Sequence, residues 1–204
     1  MKMQEIGVYV ILTKPSLSYE KILEVCIKYN IKLVQLREKD LNDKELLNIA
    51  KRLVKMTIGT NTKIVINDRV DIAYLSGSEY VHVGQDDIPV SDIKNFFKNL
   101  KIGKSNHSLK ELKASLKEDV NYVAFGPIFH TDTKPTYSPV GLEKLKEALK
   151  IANKPLVAIG GINESNLKDI LKIGVKNFCM VRYFMETIFF EDRLKKILDL
   201  IQNN

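Results

Sequence analysis

The residues best able to do chemistry in this chain stand at the ends of short apolar runs. The segment Lys32-Leu-Val-Gln-Leu-Arg-Glu-Lys-Asp40 alternates, so as a strand it sets Gln35, Arg37 and Lys39 on one face and Val34 and Leu36 on the other. The apolar face must pack, which sends Gln35, Arg37 and Lys39 toward a polar mouth. Cations buried there are costly unless an anion or a carboxylate meets them. Either an acidic residue on a neighbouring strand answers Arg37, or the set is an anion clamp in which Arg supplies a fork and Lys a point charge.

The next two runs close on Asn67-Asp68 and Gly84-Gln-Asp-Asp87. Carboxylates delivered by adjacent parallel strands can share a hard cation, and Mg2+ held by one or two carboxylates plus phosphate oxygens is a common arrangement. Asp68 and Asp87 can instead cap the helices that follow them. Capping alone leaves the accompanying cations unexplained.

Lys101-Ile-Gly-Lys-Ser105 brings a hydroxyl to the same mouth, and Asn106, His107 and Ser108 follow, Ser108 being suited to cap a helix. His107 reads either as a hydrogen-bonded loop histidine or as an acid or base beside a substrate. The stretch from Pro127 to Val140 is too long and too rich in Thr, Pro and Lys to be mere wiring. Its Thr131, Thr133 and Lys134 suit a cover that closes on phosphate oxygens, or else an ordinary surface turn. In Ala158-Ile-Gly-Gly-Ile162, the pair Gly160 and Gly161 lets a phosphate approach backbone N–H groups, a weak signal taken alone. An arginine facing inward at Val181-Arg182 would strengthen that anion site.

These groups are positioned by a regular alternation of β-branched runs and longer segments with helical spacing. Strands are expected at 7–13, 32–37, 63–67, 80–84, 101–105, 122–126, 156–160 and 177–182, and helices at 18–29, 43–58, 69–75, 90–100, 109–117, 141–151, 165–173 and 191–201. Alternating units of this kind imply parallel strands with right-handed crossovers. Eight strands, with polar residues at the carboxyl ends of many of them, favour an α/β chain closed into a single (β/α)8 TIM barrel over an open sheet with one switch point. One domain over residues 1–204 is the expectation.

Composition excludes more than it selects. Hydrophobic residues make up 45% and charged residues 28%, ordinary for a globular chain. No apolar run approaches a membrane span, and the first strand leads to Lys14 rather than to a cleavage site, so a cytoplasmic protein is expected. Cys26 and Cys179 lie far apart in apolar stretches and read as packed thiols. The net charge of +7 is spread mainly over helix faces such as Lys44 to Lys55. No basic run interleaves with aromatics, which argues against nucleic acid and leaves an acidic surface or an anionic small substrate. The exposed helix faces of a barrel leave a homo-oligomer open.

Taken together, VQLREK (Val34 to Lys39), ND (Asn67, Asp68), HVGQDD (His82 to Asp87), IGKSNH (Ile102 to His107), GPIFHTDTK (Gly126 to Lys134) and AIGGI (Ala158 to Ile162) resemble the thiamine phosphate synthase family from the first strand to the last helix. The resemblance implies that Gln35 and Asn67 meet the pyrimidine of hydroxymethylpyrimidine diphosphate. It assigns the diphosphate to Arg37, Lys39, Ser105, Thr133 and Lys134, with Arg37, Lys39, Ser105 and Lys134 carrying the catalysis. Asp68 and Asp87 would hold Mg2+, with Asp86 where the family often has Glu. Thr131 would face the phosphate of the thiazole substrate, and the backbone at Gly160, Gly161 and Val181 would bind it. The family usually has a small residue after the eighth strand, whereas this chain has Arg182-Tyr183-Phe184; the expectation is that Arg182 contacts that phosphate directly. A sister family, the thiazole tautomerase, stays open through His107, and so does a non-catalytic sensor of phosphorylated ligands.

Overall fold

The computed structural model describes residues 5–131 and 138–203. Its eight strands are β1 (Val8–Leu12), β2 (Leu33–Leu36), β3 (Lys63–Asn67), β4 (Tyr80–Val83), β5 (Lys101–Asn106), β6 (Tyr122–Phe125), β7 (Leu156–Ile159) and β8 (Asn177–Cys179). They pair in parallel in sequence order and close, β8 returning to β1 through Val8 opposite Phe178. The expected (β/α)8 barrel is therefore the fold.

Between the strands run α1 (Tyr19–Lys28), α2 (Asp43–Met56), α3 (Val70–Ser76), α4 (Val90–Phe96), α5 (Leu109–Ser115), α6 (Gly141–Ile151) and α7 (Leu167–Lys172), followed by α8 (Val181–Met185) and α9 (Phe190–Gln202). Local chemistry explains where they start. Asn42 caps α2 by accepting from Glu45 N at 3.0 Å, and its amide donates to the Glu45 carboxylate at 2.7 Å, a reciprocal cap. Leu46, Ala50 and Leu53 then fall on one face and are buried. Ser108 caps α5 as expected. No helix among the described residues is long and apolar enough to cross a membrane.

Burial divides the core into two layers. Outward-facing strand residues such as Val10, Val34, Leu36, Ile64 and Ile66 pack under the helices with almost no exposure. The inward-facing set includes Tyr9, Ile11, Leu33, Val65, Tyr122, Ala124, Val157 and Cys179. This inner layer departs from the branched aliphatic filling usual for such barrels. Gly103 makes it possible: a Cβ there would sit 2.0 Å from Tyr122 Cζ, so only glycine leaves room for the phenol. Both cysteines are free and buried, as packed thiols should be.

One expected element is corrected. The run 177–182 is not a single strand, because the ladder to β1 ends at Cys179 and Val181 already begins α8. Arg182 thus projects from the first turn of a short helix rather than from a strand end.

Candidate active site

At the carboxyl ends of the strands the backbone leaves a cavity of about 410 Å³. Arg37 reaches it from β2, Ser105 from β5, Thr131 from the loop after β6, Gly160 and Gly161 from the loop after β7, and Val181 and Arg182 from α8. His107 also lines it. The period-two reading of β2 was right for Arg37, whose N–H continues the ladder to Leu12 O at 2.9 Å. Among the described residues Arg37 forms no ion pair, so the acidic neighbour expected as one alternative is not there. Thr133 and Lys134 lie outside the described residues.

Gln35 is placed differently from the expectation. It is 1% exposed and lies in the barrel interior, below the mouth, where its Nε2 donates to Tyr9 Oη at 2.8 Å. From there a chain of short contacts climbs to the cavity: Tyr9 Oη to Tyr122 Oη at 2.8 Å, Tyr122 Oη to His82 Nδ1 at 2.9 Å, and His82 Nε2 to Ser105 Oγ at 2.8 Å. The amide nitrogen of Gln35 can only donate, so Tyr9 Oη accepts from it, and the hydroxyls and the imidazole, each able to donate and to accept, carry the chain up to Ser105. Burial pushes both phenols well above their ordinary range, so they stay neutral donors.

A second group lies beside the cavity. Asp68 follows β3 in a left-handed conformation, φ 60°, and its N–H donates to His82 O at 2.8 Å. Aspartate is among the few side chains that tolerate this region. Lys39 Nζ stands 3.3 Å from Asp68 Oδ2, so Lys39 meets a carboxylate while its side chain stays more than half exposed. Asp87 accepts from Gly84 N at 2.5 Å. Neither aspartate is a helix cap: α3 is preceded by Arg69 and α4 by Pro89, both without side-chain capping bonds. Burial raises the Asp87 carboxyl above the usual carboxylate range; the Gly84 N–H opposes this, and the nearby Asp68 carboxylate raises it further. The two carboxylates, close enough for Asp68 to raise Asp87, could together hold a hard cation that takes its other ligands from phosphate and water. Asn67 ends β3 opposite His82, between the two groups.

The paired glycines have a reason of their own. Gly160 and Gly161 have φ of 97° and 66°, and a Cβ on Gly160 would lie 2.4 Å from Pro127 Cα, one on Gly161 2.5 Å from His130 O. The loop after β6 rests directly on them. Their first task is this close approach, which also shapes the cavity wall. His107 Nδ1 contacts Gly126 O at 2.8 Å, and its N–H is held by Glu111 at 2.7 Å, fixing the same loop.

Tyr9, His82, Tyr122, Tyr183 and Arg193 were not among the expected site residues. Alternation did signal the first three, since Tyr9, His82 and Tyr122 occupy inward positions of β1, β4 and β6. Nothing in the sequence pointed to Arg193, whose place on an amphipathic helix reads as ordinary surface.

A family model described as thiamine monophosphate synthase matches residues 8–184. A thiamine-phosphate synthase from Methanococcus maripaludis is 36% identical over 182 residues, 89% of this chain and 88% of that one. One from Persephonella marina is 33% identical over 207 residues, covering 100% and 97%. The solved thiamine phosphate pyrophosphorylase from Pyrococcus furiosus superposes with a TM-score of 0.87 at 28% identity, covering 97% of this chain and 96% of that one. A 3-hexulose-6-phosphate synthase structure, TM-score 0.69 at 16% identity over 97% and 100%, shares the fold alone. With the family model matched over residues 8–184 and these relatives aligned over most of both chains, the chain belongs to the thiamine monophosphate synthase family.

Proposed function

We propose that this protein is a Mg2+-dependent transferase that joins hydroxymethylpyrimidine diphosphate to 4-methyl-5-(2-phosphoethyl)thiazole, forming thiamine phosphate and releasing diphosphate. The observation that carries this reading is one continuous cavity with cations on either side of β1, Arg37 from β2 and Arg182 from the segment after β8, over the uncharged residues Ile11, Ala124 and Cys179. Two anionic substrates need anion holders at two places, and the joined carbon and nitrogen need a space without an active competing nucleophile; burial raises the Cys179 thiol above its ordinary range and so keeps it protonated.

The bond from the pyrimidine methylene to the diphosphate oxygen breaks with its electron pair leaving on diphosphate. The thiazole nitrogen then gives its lone pair to the carbon and becomes a cationic ring nitrogen. No proton has to leave the nucleophile, so no general base is required. Negative charge accumulates on the leaving group, and donors fixed there act preferentially in the transition state. Arg37 supplies the fork, the Ser105 hydroxyl lines the cavity while held by His82, and Lys39 stands close by on Asp68. Lys134 and Thr133 are proposed to complete the set. Asp68 and Asp87 would hold Mg2+, which supplies charge neutralisation on phosphate oxygens. Gln35 and Asn67 are assigned to the pyrimidine, and Thr131, Arg182 and the backbone of Gly160, Gly161 and Val181 to the thiazole phosphate.

A tautomerase has no leaving diphosphate, which would leave Lys39, Asp68 and Asp87 without a purpose. The test is formation of thiamine phosphate from the two purified substrates, abolished by EDTA and restored by Mg2+. Binding of both substrates without product would overturn the reading.

A further inference from the structure

The far wall of the cavity is made by two segments, the loop of residues 160–166 and the short helix α8. The loop is braced internally, Asn166 accepting from Asn163 N at 2.9 Å and donating to Gly161 O at 2.9 Å, whereas α8 has only five residues and no side-chain cap. The two segments are fastened to each other and to α9. Tyr183 Oη donates to Glu164 Oε2 at 3.2 Å, which links the segments directly. Arg193 donates from its guanidinium to the Tyr183 carbonyl, and its Cζ lies 5.0 Å from the centre of the Tyr183 ring. Lys196, on the same face of α9, pairs with Glu164 at 2.8 Å. The Lys196 ammonium holds the Glu164 carboxyl below the usual carboxylate range, so at neutral pH it remains an acceptor for the phenol.

Tyr183 and Arg193 also line the cavity beside Arg182 and Gly161. Tyr183 follows Arg182 directly in the chain, so whatever fixes its ring and its carbonyl fixes the backbone that carries Val181 and Arg182. We propose that Glu164, Tyr183, Arg193 and Lys196 form a clamp that sets the separation between the Gly160–Asn163 loop and α8. Tyr183 and Arg193 are thereby positioning residues for the phosphate of the thiazole substrate. The inference rests on the synthase reading and adds to it a device for one of the two substrates. The described groups assigned to the diphosphate, Arg37, Lys39 and Ser105, come from β2 and β5 and take no part in these ties, so the clamp acts on the thiazole phosphate.

The experiment is steady-state kinetics with each substrate varied in turn, on Tyr183→Phe, Glu164→Ala and Glu164→Gln, alongside thermal melting. Tyr183→Phe keeps the ring over Arg193 and removes only the tie to Glu164. It should raise KM for the thiazole phosphate roughly fivefold, the effect of one ordinary hydrogen bond, with kcat and KM for the pyrimidine diphosphate unchanged. Glu164→Ala, at a half-exposed position that does not endanger folding, should do the same, and Glu164→Gln, which keeps an acceptor for the phenol, should largely restore the wild-type value. Equal changes in both KM values, or wild-type values in Tyr183→Phe and Glu164→Ala, would overturn the clamp while leaving the synthase reading intact. If the unaltered protein makes no thiamine phosphate, that reading fails instead. The clamp is then judged by thermal stabilisation with inorganic phosphate, which Tyr183→Phe must weaken for the clamp to stand.

Discussion

Removing one carboxylate of the Asp68–Asp87 pair separates two effects that oppose each other. Asp87 is raised above the usual carboxylate range first by burial and further by Asp68, while Lys39 is 3.3 Å from Asp68 and offsets only part of the charge. A carboxyl whose folded pKa lies above its unfolded value favours the fold below the unfolded pKa, and that contribution is lost as pH rises through the folded pKa. At neutral pH without a divalent ion the pair is therefore a local cost, and Asp87→Asn in EDTA should melt no lower than the unaltered protein. Mg2+ reverses the balance. At about 100 times its dissociation constant a bound ion adds roughly 2.7 kcal/mol. For a chain of this size, at about 2–4 °C per kcal/mol, this is roughly 5 to 11 °C in Tm. Asp87→Asn should lose most of that gain, and in the unaltered protein the gain should shrink toward acid pH as Asp87 takes up its proton. Differential scanning fluorimetry with and without Mg2+ at two pH values reads all of this. Equal Mg2+ stabilisation of both proteins, or none of the unaltered one at millimolar Mg2+, would refute the shared cation site.

Other perturbations act through the barrel interior and the cavity walls. Tyr122→Phe leaves Tyr9 Oη and His82 Nδ1 each short of a buried partner, which should cost about 2–4 kcal/mol in urea denaturation and lower kcat by loosening Ser105. Arg37→Ala should raise KM for the pyrimidine diphosphate by roughly 10- to 100-fold, the loss of a charged hydrogen bond, and leave KM for the thiazole phosphate unchanged. Arg182→Ala should do the reverse, weakening the thiazole phosphate by roughly tenfold; an unchanged apparent affinity would remove Arg182 from the site.

The closed barrel was legible because each strand carries its own pattern of β-branched residues, and the alternation in β2 correctly sent Arg37 inward. The same rule placed Gln35 on the inner face but could not set its depth. Depth depends on register, Ile11 opposite Gln35 opposite Val65, which only pairing with neighbours defines. The pairing of Lys39 with Asp68 was not legible, because Asp68 arrives from the adjacent strand end, a meeting no local pattern records. The end of β8 was missed for a different reason: Phe178 to Met185 is almost wholly apolar around Arg182, so nothing marks where strand passes into helix. Tyr9 and Tyr122 hid in apolar runs, and their meeting depends on Gly103, from a third strand, having no side chain.

The most direct test of the account is to supply purified protein with hydroxymethylpyrimidine diphosphate, the thiazole phosphate and Mg2+, and to quantify thiamine phosphate and released diphosphate in the same reaction. The account predicts that the two accumulate in equal amounts and that omitting the thiazole phosphate stops thiamine phosphate from forming. Diphosphate release without thiamine phosphate when both substrates are present, or neither product despite binding of both, would contradict it.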